Sequence, residues 1–203
     1  MSERTPHIPP TRSCSGSLTS AYFDQLYAAS GDPWEFETSR YEAEKYAATL
    51  AALPRQSYAS GLELGCSIGV LTRQLAARCG RLLAIDISEA ALIRARQRCA
   101  DVPRVRFQRG DVATEFPDGR FDLVVISEVG YYLASDDLER LRDRIAHALA
   151  SHGQLLLVHY TGETNYPLSG DAVHECFRAE ITRWRLVQGK ANAQYRLDLF
   201  EVH

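Results

Sequence analysis

No stretch of this sequence approaches the roughly 20 consecutive apolar residues that a membrane-spanning helix needs, so no membrane partner is expected. Excess positive charge is missing too: the formal net charge is -3, which argues against nucleic acid as the main partner. Cysteines are few and scattered. Cys14, Cys66, Cys79, Cys99 and Cys176 are odd in number and include no Cys-x-x-Cys pair. Neither a zinc site nor a disulfide framework is implied, and the expectation is reduced thiols in a cytoplasmic protein. Residues 1–17 lack the apolar core of a secretory signal and contain Pro6, Pro9 and Pro10. No Asp/Glu/His cluster has metal-ligand spacing, and no internal repeat is present.

What is there suits one soluble domain. The 203 residues are 45% hydrophobic and 24% charged, enough apolar side chain for a sizeable core. Residues 1–17 read as a disordered tail and 18–203 as a single domain. Within it, 18–53 form a helical cap and 54–203 the core. In the cap, Tyr22, Phe23, Leu26 and Tyr27 share one helical face. Asp32 before Pro33 is expected to cap a helix, and a second helix runs over 41–53, stopped by Pro54.

From residue 61 strands and helices alternate. Strands are expected at 62–64, 81–87, 105–108, 121–127 and 154–160, and helices at 70–78, 89–100 and 136–150. The run FDLVVIS at 121–127 is nearly all apolar, as a central parallel strand should be. After a loop at 161–170 and a short helix at 170–177, segments 179–188 and 194–202 alternate around Gly189-Lys190-Ala191-Asn192. They read as an antiparallel hairpin.

The chemistry centres on GLELGCSIG at 61–69. A strand carries Glu63 into a tight turn with Gly65 and Gly69, and a helix opens behind it, the opening of a nucleotide-binding α/β fold. Three further acidic residues sit at strand ends: Asp86, Asp111 and Glu128. In an open parallel sheet those ends line one crevice, so the four can face one ligand. Asp86 follows Gly69 by 17 residues, about where a ribose-binding acid is expected. Asp86 and Asp111 taken singly also have a structural reading, as caps of the elements that follow them. Asp122 opens a buried strand and is read as structural.

Glu63-Leu64-Gly65-Cys66-Ser67-Ile68-Gly69, Ile85-Asp86, Gly110-Asp111-Val112 and Phe121-Asp122-Leu123-Val124-Val125 resemble the successive motifs of class I S-adenosylmethionine-dependent methyltransferases. The resemblance covers roughly residues 40–203. Asp32-Pro33-Trp34 and Glu128-Val129-Gly130-Tyr131-Tyr132-Leu133 are similar to the NodS family of nodulation-factor N-methyltransferases. The family pattern often has glycine where Ser67 stands, a departure that a methyl donor without a pyrophosphate tolerates better than NAD does.

The resemblance implies a Rossmann-like α/β fold: a seven-stranded, mostly parallel sheet with a C-terminal antiparallel hairpin and an N-terminal helical cap. It implies S-adenosyl-L-methionine as cofactor and S-adenosyl-L-homocysteine as product. Backbone at Gly65, Cys66 and Ser67 would pass the methionine part, and Glu63 would reach its ammonium. Asp86 would hold the ribose hydroxyls, Ile87 the adenine face, and Gly110, Asp111 and Val112 the adenine edge. Ser127 and Glu128 would stand beside the donor methyl, with Trp34 and Tyr41 closing from the cap.

For catalysis Glu128 is the first candidate base, Tyr131 orients substrate or faces the sulfonium, and His159 shares the rim. His174 is a weaker candidate. The expected reaction is methyl transfer to a small molecule, N-methylation of an amino sugar first. A small-molecule O-methyltransferase relying on His159 or His174 is the rival. A non-catalytic adenosylmethionine-binding protein and a dehydrogenase stand behind it. The expected partners are a small-molecule acceptor and, at most, a second copy in a weak homodimer.

Overall fold

The computed structural model describes residues 16–203. Its elements in order are α1 (Ser20–Ala29), α2 (Arg40–Ala51), β1 (Tyr58–Leu64), α3 (Val70–Ala76), β2 (Cys79–Asp86), α4 (Glu89–Arg98), β3 (Val105–Arg109), β4 (Phe121–Ser127), a single 3-10 turn (Gly130–Tyr132), α5 (Ser135–Ala148), β5 (Leu149–Tyr160), α6 (Gly170–Arg178), β6 (Trp184–Ala191) and β7 (Tyr195–Val202). The strands form one sheet in the order β3-β2-β1-β4-β5-β7-β6. β1 to β5 are parallel, and β7 pairs antiparallel with both β5 and β6. This is the Rossmann-like sheet with a terminal hairpin expected from the sequence. The chain order reverses between β1 and β4, so the crevice opens at their carboxyl ends.

Strand alternation divides the core between two faces. Val124 and Ile126 of β4 pack with Leu62, Leu64, Leu155 and Leu157 on the face covered by α5 and α6. Leu123 and Val125 join Leu156, Val158, Leu197 and Leu199 on the other face, where α3 contributes Leu71 and Leu75. Most of these side chains have no exposure at all, each worth about 1.5–3 kcal/mol of transfer free energy. Helices on both faces explain why the central strands are continuous apolar runs. Asp122, at the start of β4, accepts from the backbone N–H groups of Ala59 and Ser60 at 2.7 and 3.2 Å, a structural role.

Three expectations need correction. The tail expected over residues 1–17 does not include Ser17, whose hydroxyl donates to Asp137 at 2.5 Å and accepts from the Ala134 N–H at 2.8 Å, tying the chain to the start of α5. The rest of the proposed tail, residues 1–15 and Cys14 with them, lies outside the described residues. Asp32 starts no helix: its two carboxylate oxygens accept from the N–H groups of Phe36 and Glu37, closing a turn, and Ser39 caps α2 instead. The hairpin reverses later than its glycine suggested. β6 begins at Trp184 and runs through Gly189 to Ala191. The turn forms where Asn192 Oδ1 accepts from the N–H groups of Gln194 and Tyr195, a side-chain mimic of a backbone turn. Among the described residues no helix is long and apolar enough to cross a membrane.

Candidate active site

The β1–α3 turn is shaped by residues that accept left-handed backbone. Gly65 has φ 79°, and a Cβ there would lie 1.8 Å from a methyl of Val129. Only glycine lets the turn press against the β4–α5 connection. Ser67 also has positive φ, 49°, which accounts for glycine at this position elsewhere in the pattern. Here its Oγ hydrogen-bonds the hydroxyl of Tyr27 on α1 at 2.5 Å, so the N-terminal helix is fastened to the turn.

The carboxylates converge as the strand ends require. Asp86 Oδ2 accepts from the Ser67 N–H at 2.8 Å and Oδ1 from the Ser88 N–H at 2.9 Å. Burial pushes the Asp86 carboxyl up to about 6 although the Ser88 and Ser67 N–H groups favour its ionised form. Glu63 is 1% exposed and its Oε2 has no hydrogen-bond partner among the described residues. Burial lifts it to about 7, with the neighbouring Thr72 hydroxyl opposing the shift. Asp111 Oδ1 accepts from the Ala113 N–H at 2.9 Å, the local cap that the sequence allowed for.

Every residue assigned above to the cofactor, from Trp34 and Tyr41 in the cap to Ser127 and Glu128 after β4, lines one cavity of about 1330 Å³, counting its part open to solvent. Tyr131 lines it as well. Trp34 stacks on Phe36 at 5.6 Å and meets the edge of Tyr27 at 5.7 Å, so aromatic rings wall the cap side.

Glu128 is not a free carboxylate. It sits at φ 59°, immediately beyond β4, and both oxygens are occupied. Oε1 accepts from Lys45 Nζ at 2.5 Å, and Oε2 accepts from the Tyr131 hydroxyl at 2.5 Å and the Tyr160 N–H at 2.9 Å. Lys45 and Glu42, both 2% exposed on α2, were missed by the sequence reading. Lys45 Nζ also donates to Glu42 Oε1 at 2.9 Å and lies 4.9 Å from the Tyr41 ring centroid. Burial alone would lower its pKa, but Glu128 and Glu42 outweigh this and raise it above the ordinary lysine value. Burial raises Glu42 as well, with Lys45 opposing. A Glu–Lys pair three residues apart on a helix reads as solvated surface. The one available signal was scarcity, since Lys45 is one of only two lysines in the chain.

His159 does not reach the cavity, contrary to the expectation. Its ring has no exposure and belongs to a buried relay behind the site. The Gly130 N–H donates to His159 Nε2 at 3.1 Å, His159 Nδ1 lies 3.3 Å from His174 Nε2, and His174 Nδ1 lies 2.8 Å from Asp198 Oδ2. A donor on His159 Nε2 assigns the proton to Nδ1, and the same logic puts the His174 proton on Nδ1, facing Asp198. Burial and the neighbouring His174 hold His159 well below the usual histidine range. Burial would raise Asp198, but Arg178, His174 and Arg196 together hold it well below the carboxylate range. Both histidines thus serve to fix the Gly130–Tyr132 turn.

Residues 24–162 match the family model described as Nodulation protein S (NodS). A Nodulation protein S from Sinorhizobium fredii is 34% identical over 124 residues, covering 61% of this chain and 56% of that protein. One from Bradyrhizobium diazoefficiens is 37% identical over 103 residues, covering 50% and 49%. The chain therefore spans about half the length of these relatives. In fold it is similar to the crystal structure of N-methyltransferase NodS from Bradyrhizobium japonicum WM9 in complex with S-adenosyl-L-homocysteine, with a TM-score of 0.80 at 23% identity over 91% of this chain and 99% of that one. A family match over more than half of its length, on this sheet and this cavity, makes the chain a member of the NodS family.

Proposed function

We propose that the protein transfers a methyl group from S-adenosyl-L-methionine to the nitrogen of a small-molecule acceptor, with an amino sugar first among the candidates. The observation that carries this reading is the cavity at the β1–β4 reversal. Its buried, unpartnered Glu63 oxygen needs a donor such as the cofactor's ammonium, and its Gly65 turn admits no side chain. Asp86 keeps lone pairs for ribose hydroxyls. Ile87 offers an apolar face to adenine, and Gly110, Asp111 and Val112 its polar edge. The backbone at Cys66 and Ser67 follows the methionine part. When bound, this cofactor supplies a methyl already activated by a sulfonium.

The chain's own tasks are then to orient the acceptor, exclude water and manage a proton. Trp34, Tyr41, Tyr27 and the α1 helix fence the cavity from solvent. Tyr131 presents its ring, which suits a sulfonium, while its hydroxyl is spent on Glu128. Nitrogen is favoured over oxygen as acceptor because a hydroxyl needs a strong base. The two histidines that the O-methyl reading relied on are hydrogen-bonded behind the cavity, and Glu128 is paired with an ammonium. The similarity in fold to an N-methyltransferase supports nitrogen as well. Amino sugars come first because the motifs resemble those of nodulation-factor N-methyltransferases.

Incubation with methyl-labelled adenosylmethionine and glucosamine oligomers, followed by mass spectrometry, tests the reading. Label on nitrogen supports it. Label on a hydroxyl of non-amine sugars would move the assignment to O-methylation. Cofactor binding without transfer to any amine, alcohol or acid acceptor would leave a binding protein.

A further inference from the structure

The cofactor reading leaves one acidic group of the cavity unused. Glu42, on the first turn of α2, lines the cavity and is 2% exposed. Its Oε1 takes the Lys45 ammonium, and its Oε2 has no hydrogen-bond partner among the described residues. The neighbouring Tyr41 hydroxyl has none either. Buried carboxylate oxygens ordinarily find donors, so an orphan on a cavity wall marks where a ligand's donor belongs. Glu128 offers no such vacancy, since Lys45, Tyr131 and the Tyr160 N–H already serve its oxygens.

Charge and position narrow the ligand. Two carboxyl groups, Glu42 and Glu128, share one ammonium, Lys45, which leaves the cluster with an acceptor oxygen to spare and suits it to an N–H donor or cation, not a phosphate or carboxylate. Because Lys45 bridges the two, Glu42 is held against the end of β4. The end of β5 and the following segment complete this wall with Tyr160, Thr164 and Tyr166, to which the cofactor reading gives no role.

We infer that Glu42 Oε2, seconded by the Tyr41 hydroxyl, is the subsite that recognises the N–H of a primary-amine acceptor. Lys45 is the positioning residue that holds Glu42 and Glu128 at their separation. The inference rests on the methyl-transfer reading and adds to it the residue that selects nitrogen.

The experiment is calorimetry on the full chain, first with S-adenosyl-L-homocysteine alone. Matched pairs are then titrated into the loaded protein: glucosamine against glucose, a glucosamine trimer against cellotriose, and phenethylamine against phenethyl alcohol. The wild type should prefer at least one amine over its hydroxyl partner by about tenfold or more, as for a hydrogen bond to a charged group. Glu42→Gln, nearly isosteric and still offering Lys45 an amide oxygen, should lose that preference while keeping its S-adenosylhomocysteine affinity. Tyr41→Phe should weaken the amine more than its hydroxyl partner. Three results would overturn the inference: the preference survives in Glu42→Gln, no amine is preferred by the wild type, or the variant's loss falls on S-adenosylhomocysteine. Failure of the wild type to bind S-adenosylhomocysteine is a separate result, and it removes the underlying reading.

Discussion

Lys45 Nζ and Glu128 Oε1 meet at 2.5 Å across 83 residues of chain, joining helix α2 to the carboxyl end of β4. Glu42 completes the contact at 2.9 Å on the same nitrogen. A buried pair of this kind is weak evidence of net stabilisation, but removing one partner strands the others in a low dielectric.

Lys45→Met should therefore be strongly destabilising. The loss expected is about 3–5 kcal/mol, or on the order of 10 °C in thermal midpoint for a domain of this size. Adding Glu42→Gln and Glu128→Gln to it should recover most of the loss, because the stranded charges go. Differential scanning calorimetry on the single and triple variants reads both effects. A Lys45→Met midpoint near the wild type would mean the pair is not buried in solution.

Glu63 predicts a pH dependence of the cofactor-free protein. Burial raises its carboxyl from 4.5 in the unfolded chain to about 7 in the folded one, so the folded state holds the extra proton between those values. Stability from this group is complete below pH 4.5, falls as pH rises through the window, and is gone above about 7. The span is on the order of 3 kcal/mol. Chemical denaturation of Glu63→Gln from pH 4.5 to about 7 should show a flatter profile than wild type. Parallel profiles would contradict this.

Gly65→Ala meets two separate obstacles: φ 79°, and the Val129 methyl 1.8 Å from the new Cβ. Overpacking costs about 1–3 kcal/mol, and the left-handed backbone about 1 kcal/mol more. Adding Val129→Ala should restore the first share and not the second. Urea denaturation of single and double variants separates them. Full recovery in the double variant would show that the backbone is unstrained.

The buried relay fixes two tautomers. Two-bond nitrogen–proton NMR correlations at neutral pH should show His159 neutral, with its proton on Nδ1, and a proton on Nδ1 of His174, following the order of donors from Gly130 to Asp198. A proton on Nε2 of His159 would contradict the Gly130 contact. A cationic His159 ring would place a charge where burial opposes it.

The sheet and the cofactor wall were legible in the sequence because they depend on local order. The run FDLVVIS delimits β4 to the residue, since a strand covered on both faces must be apolar throughout. Glu63, Asp86, Asp111 and Glu128 follow or end strands, and parallel topology then brings them together. What could not be read depends on which side of an element meets which partner. His159 ends β5 as expected, but the fold turns its ring toward His174 on α6 and away from the cavity. Glu42 and Lys45 form a pair that the sequence cannot distinguish from a solvated one. Only the packing of α2 against the segment after β4 buries them. The hairpin turn expected over 189–192 forms only at its last residue, Asn192, whose side chain supplies the turn's hydrogen bonds.

The central claim, an adenosylmethionine site built on Asp86, is tested most directly by calorimetric titration of S-adenosyl-L-homocysteine into wild type and Asp86→Ala, with NAD as control. The account predicts micromolar binding by the wild type, lost or weakened by about 100-fold in Asp86→Ala as a carboxylate's paired contacts go, and no binding of NAD. Absence of S-adenosylhomocysteine binding to a folded wild type, or undiminished binding by the Asp86 variant, would contradict it.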